Sequence, residues 1–118
     1  MSIYQTKVIN IGPEAELFKG EKMMILFGEN APEDLAEYCY NINVNDINGS
    51  IEPGLTLQIG QDQYQITAVG DVVEKNLKDL GHITIRFNGS KDAELGGTLY
   101  VEDKELPSLS VGTEITIG

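Results

Sequence analysis

Along most of the chain apolar and polar residues alternate with period two, and β-branched residues fill many of the apolar positions between Gly, Asn and Pro. Half-buried strands produce this spacing, because successive side chains on an extended backbone point to opposite faces. Ile3 to Ile11 is the first such segment, with Tyr4, Thr6 and Val8 on one face until Gly12-Pro13 ends the run. Met23 to Gly28 is apolar enough for a central strand, in which Met23-Met24 read as core packing. Cys39 to Val44 leads toward Asn48-Gly49, a strong short hairpin signal, and Leu55 to Ile59 alternates again after Pro53-Gly54, so a hairpin or meander is expected there. Tyr64 to Val69, His82 to Phe87, Thr98 to Val101 and Glu114 to Ile117 complete the predicted strands.

Helix is predicted in two places. Between Ala31 and Tyr40, Pro32 suits a first turn, Glu33 and Asp34 complement the positive end of the helix dipole, and Leu35 and Cys39 are four apart. Asp71 to Leu80 sets Val73, Leu77 and Leu80 on one stripe, with Gly81 placed for a left-handed cap. These elements predict an all-β chain: a small closed or nearly closed β-barrel of short strands with one or two short helices, since closure removes unpaired edges. Ser50 to Gly60 echoes Ser108 to Gly118, each a glycine turn feeding an alternating strand. Convergence on the same local grammar explains the echo as well as duplication does. With no linker or composition break, residues 1–118 are expected to be a single domain.

Charge narrows the function classes. A formal net charge of −11 repels phosphate backbones and anionic lipid, and no cluster of Lys and Arg interrupts that field, so nucleic-acid and membrane partners are not expected. Neither a signal peptide nor a spanning segment is expected, and Cys39, the only cysteine, fits a reducing compartment; a cytoplasmic location follows as an expectation. One His and one Cys do not make a Cys/His zinc site, and no phosphate-binding glycine loop is present, so neither metal nor cofactor is expected. Cys39, near the end of an amphipathic helix, reads as a buried structural thiol. Nineteen carboxylates on a small surface make acidic pairs such as Glu33-Asp34 a matter of solvation. Asn41, Asn43 and Asn45 alternate, which puts three amides on one strand face, either a polar outer surface or a sugar-binding ladder.

His82 is the candidate for chemistry. If Ile83, Ile85 and Phe87 face the core, then His82, Thr84 and Arg86 share the opposite face. Imidazole titrates near neutrality and can attack phosphorus, a guanidinium neutralises phosphoryl oxygens in a fixed fork, and a hydroxyl can orient a proton. A solvated strand face carries the same residue types, and the triplet alone does not separate the two readings.

The segments Ala31-Pro-Glu-Asp-Leu-Ala-Glu-Tyr-Cys39, Pro53-Gly-Leu, Thr67-Ala-Val-Gly70, Asn76-Leu and Leu80-Gly-His-Ile-Thr-Ile-Arg-Phe-Asn-Gly89 occur together in this order. The combination resembles the glucitol/sorbitol-specific enzyme IIA component of the phosphoenolpyruvate-dependent sugar phosphotransferase system of bacteria. The resemblance implies a small β-barrel that accepts a phosphoryl group on histidine from the histidine-containing phosphocarrier protein and passes it to the IIB domain of a IIB/IIC permease. It also implies an acceptor histidine just after Glu-Tyr-Cys, where this chain reads Tyr40-Asn-Ile-Asn-Val-Asn45 with no imidazole. His82 matches a histidine of the family's Leu-Gly-His block. Three expectations follow: a carrier in which His82 takes the phosphoryl group with Arg86 and Thr84 assisting, a phosphotransfer-silent regulatory or binding module, or a carbohydrate-binding barrel using the Asn41 to Asn45 face.

Overall fold

Eight short strands with alternating burial close into one barrel, as a computed structural model describing residues 2–118 shows. In chain order they are β1 (Tyr4–Ile11), β2 (Met23–Gly28), β3 (Tyr40–Ile42), β4 (Thr56–Ile59), β5 (Asp62–Val69), β6 (Ile83–Arg86), β7 (Thr98–Val101) and β8 (Glu114–Ile117). Two helices, α1 (Glu33–Ala36) and α2 (Val73–Leu80), and a 3₁₀ turn at Lys19–Glu21 complete the fold. Around the barrel the order is β1-β3-β2-β6-β7-β5-β4-β8. Neighbours are antiparallel except β2 with β3 and β6 with β7, which run parallel. A parallel pair needs a crossover, and α1 lies within the first.

The inward positions fill the barrel without polar atoms for the most part: Met24 and Leu26 from β2, Ile42 from β3, Ile83 and Ile85 from β6 and Leu99 from β7 are all buried. Tyr4, Thr6 and Val8 of β1 point inward together, as their spacing predicts. Met24 is core, whereas Met23 is half-buried on the outside. The echoing segments turn out to be neighbours: β4 pairs with β8, Leu57 opposite Ile117 and Ile59 opposite Ile115.

Two expectations need correction, and the short helix expected between Ala31 and Tyr40 is present in a single turn. The Asn48-Gly49 turn makes no hairpin; Asn48 N–H is instead drawn to Ile3 O, and the tight antiparallel turn falls at Gly60, between β4 and β5. The first helix is one turn, Glu33–Ala36, because the crossover must return to β3 at Tyr40. The Asn41 to Asn45 face does not exist as a ladder: β3 ends at Ile42, and Asn41 is buried with both ends of its amide used. Its Nδ2 donates to Gly28 O at 3.2 Å and its Oδ1 accepts from Asn10 Nδ2 at 3.0 Å.

α2 begins at Val73, two residues later than its pattern predicts, and Val73 and Leu77 alone form its buried stripe; Leu80 is exposed. Gly81 ends it at φ 67°, in the left-handed cap its position predicts. No helix among the described residues is long and apolar enough to cross a membrane.

Candidate functional site

The cap of α2 delivers His82. Gly81 N–H donates to Leu77 O at 2.9 Å and His82 N–H to Asn76 O at 3.2 Å, so the chain turns from helix to β6 with no slack. Along β6 Ile83, Ile85 and the following Phe87 are buried while Thr84 and Arg86 are half-buried, which puts His82, Thr84 and Arg86 on the outer face of the barrel. This is the face their alternation predicts.

Neighbouring strands complete the surroundings. β2 lies antiparallel to β6 with Leu26 opposite Ile83, and continuing that register sets Phe27 beside His82. The two rings stack, with centroids 4.3 Å apart and planes inclined by 26°. His82 Nδ1 lies 3.2 Å from Leu26 O. A carbonyl oxygen only accepts, so Nδ1 carries the proton, and in the neutral ring the lone pair is then on Nε2. No protein group among the described residues hydrogen-bonds Nε2. An aromatic stack on one side and a backbone acceptor at Nδ1 therefore hold the imidazole in one orientation and tautomer, with Nε2 unengaged.

Arg86 is four residues on, roughly 13 Å along an extended strand, so its guanidinium reaches the imidazole only by lying along the strand. Its Nε is buried without a hydrogen-bond partner, and no carboxylate pairs with it among the described residues. In a chain with nineteen carboxylates, each of four lysines has found one, Lys22 with Asp103 among them. The guanidinium is thus a cation without a counter-ion among the described residues. Thr84 lies between the two residues, opposite Ile25 on β2 and Thr98 on β7.

The remaining candidates are structural. Cys39 is buried, its thiol donates to Leu35 O at 3.0 Å, and burial pushes its pKa up to about 11, which suppresses thiolate. No group of three or more His, Cys, Asp or Glu side chains among the described residues is arranged to hold a metal ion. Sequence reasoning missed the partners of His82, Phe27 and Leu26 O, because strand pairing is not written in periodicity. The only local signal is that β2 keeps apolar residues on its outer face as well, at Met23, Ile25 and Phe27.

Comparison with known proteins places these features in context. Residues 3–116 match the family model for the PTS system glucitol/sorbitol-specific IIA component. The chain is 46% identical over 99 residues to the PTS system glucitol/sorbitol-specific EIIA components of Shigella flexneri and Escherichia coli (strain K12), covering 84% of this chain and 80% of each relative. It is also similar to the crystal structure of a PTS system IIA component from Enterococcus faecalis V583, with TM-score 0.83 and 32% identity over 95% of this chain and 97% of that one.

Proposed function

Because this chain belongs to the PTS glucitol/sorbitol-specific IIA family, we propose that it is a cytoplasmic phosphoryl carrier in which His82 takes the group from the histidine-containing phosphocarrier protein and gives it to a permease IIB domain. The observation that carries this reading is the held imidazole, its Nδ1–H committed to Leu26 O and its face against Phe27.

In the transfer, the Nε2 lone pair of His82 forms a new N–P bond as the donor's N–P bond breaks. The electron pair of the broken bond returns to the donor ring, which leaves as neutral imidazole. His82 keeps its Nδ1 proton against Leu26 O, so it takes over the protonated-ring state that the donor gives up, and no net proton moves. Transfer between two like nitrogens needs alignment and charge stabilisation more than acid-base machinery. Arg86, without an internal counter-ion, supplies positive charge to the phosphoryl oxygens, and Thr84 offers a hydroxyl between them. Passage to the IIB domain breaks the N–P bond on His82 as the IIB nucleophile bonds phosphorus, and the electron pair of the broken bond returns to Nε2.

A second reading is a phosphotransfer-silent module that binds permease or phosphocarrier for regulation. The stretch after Glu-Tyr-Cys favours it: β3 is buried throughout, and no imidazole lies between Tyr40 and Asn45. Incubation with phosphoenolpyruvate, enzyme I and the phosphocarrier, followed by intact-mass measurement at alkaline pH, separates the two. The carrier reading predicts a gain of one phosphoryl group that His82→Ala abolishes. An unchanged mass, with binding to the phosphocarrier retained, selects the silent module.

A further inference from the structure

Beside His82 two backbone segments approach so closely that only glycine fits. A Cβ on Gly28 would lie 2.6 Å from Leu80 O and 2.6 Å from Val44 Cγ2, and one on Gly81 would lie 3.0 Å from Gly28 N and 3.3 Å from Val44 Cγ2. Gly28 follows Phe27 and Gly81 precedes His82, so this junction adjoins the stacked rings. It also pins two apolar residues that gain nothing from the core: Val44 remains 44% and Leu80 48% exposed. Exposed aliphatics held on rigid backbone beside a reactive side chain suit the centre of an interface.

Charge identifies the occupant. From Met23 to Glu74 the chain contains no Lys or Arg. Glu29 follows Gly28, Glu33 and Asp34 lie in the α1 crossover, and Asp46 is two residues beyond Val44, all of them exposed. Lys75 and Lys78 of α2 line a groove against the loop bearing Ile47 and Pro53, where Asp71, Glu74 and Asp79 accompany them and Lys75 pairs with Asp79. An acidic rim repels a free phosphorylated metabolite and attracts a protein whose own basic residues already neutralise its phosphoryl group.

Resting on the reading of His82 as acceptor, we propose that Val44 and Leu80 form the apolar centre, and Glu29, Glu33 and Asp46 the acidic rim, of the surface on which the phosphoryl-donor protein docks. Such a surface is complementary to a donor with an apolar contact ringed by Lys and Arg.

The test compares two donors to His82: the phosphorylated histidine-containing phosphocarrier, which must dock, and phosphoramidate, which need not. The double variant Val44→Lys/Leu80→Lys is expected to raise KM for the phosphocarrier by about tenfold or more, with phosphorylation by phosphoramidate unchanged, which also reports an intact site. Val111→Lys, at a 65% exposed apolar residue outside this surface, is expected to change neither. Glu29→Lys/Asp46→Lys, at exposed positions that do not endanger folding, is expected to raise KM and flatten its dependence on salt. Unchanged KM and salt dependence in both double variants overturn the docking surface while leaving the acceptor reading intact. Failure of the unsubstituted chain to be phosphorylated by either donor overturns the acceptor reading itself.

Discussion

At the residue scale the proposed site consists of one imidazole held by its neighbours and one guanidinium kept in a state that does little for folding. Arg86 buries Nε without a hydrogen bond, a cost to the fold on the order of 1–3 kcal/mol for an unsatisfied polar group. A cost of that kind is retained where the group serves another purpose. Arg86→Met, which keeps much of the length and removes the donor, is therefore expected to unfold in urea at the same or a higher midpoint, while the rate of phosphoryl transfer falls by about 10²-fold or more. Loss of stability together with unchanged transfer would assign Arg86 to the scaffold. His82, Thr84 and Arg86 were legible as one face because period two needs nothing beyond the strand itself. The stack on Phe27 and the bond to Leu26 O were not, because they depend on which strand lies alongside. The amides of Asn41, Asn43 and Asn45 show the limit of the same rule: alternation continues in the sequence after the strand has ended.

At the scale of elements, the helix cap and the glycine junction set where His82 stands. Gly81 was recognisable as a left-handed cap from its place after a helical pattern, but nothing local announces that Gly28, at the end of a strand, meets Leu80 O and Val44. Gly28→Ala is expected to destabilise the fold by about 1–3 kcal/mol, the usual range for forcing extra volume into a packed site, as a lower urea midpoint with an unchanged m-value will show. A variant as stable as the parent would mean that the two segments separate easily and that Val44 is not held. Leu80 misled the helical reading for an instructive reason. Its spacing fits the buried stripe of Val73 and Leu77, but it is the final residue of the helix and remains exposed where the chain turns at Gly81. The single turn of α1 and the failed hairpin at Asn48-Gly49 have a common cause: both lie in connections whose geometry is set by the barrel's crossovers, which override local turn and helix preferences.

At the scale of the whole molecule, closure of the barrel was predictable from many short strands in an acidic chain, whereas the two parallel pairs were not, since periodicity carries no direction. Closure also buries phenols. Tyr4 and Tyr64 are almost fully enclosed, and burial pushes both hydroxyls up to about 12, against an ordinary value near 10. Above pH 10 the unfolded chain loses these protons while the folded barrel keeps them, so stability is expected to be flat below that pH with respect to these groups and to fall between pH 10 and 12. Urea midpoints across that window, compared with those of Tyr4→Phe/Tyr64→Phe, check the sign: the double variant should lose less. The central claim, that the barrel exists to hold one imidazole for phosphoryl transfer, has a direct readout because His82 is the only histidine in the chain. With ¹⁵N-labelled histidine, long-range ¹H–¹⁵N spectra contain a single imidazole, to be followed before and after addition of the phosphorylated phosphocarrier. The account predicts a proton on Nδ1 at the start and phosphorus on Nε2 afterwards; an imidazole unchanged while the phosphocarrier stays phosphorylated would contradict it.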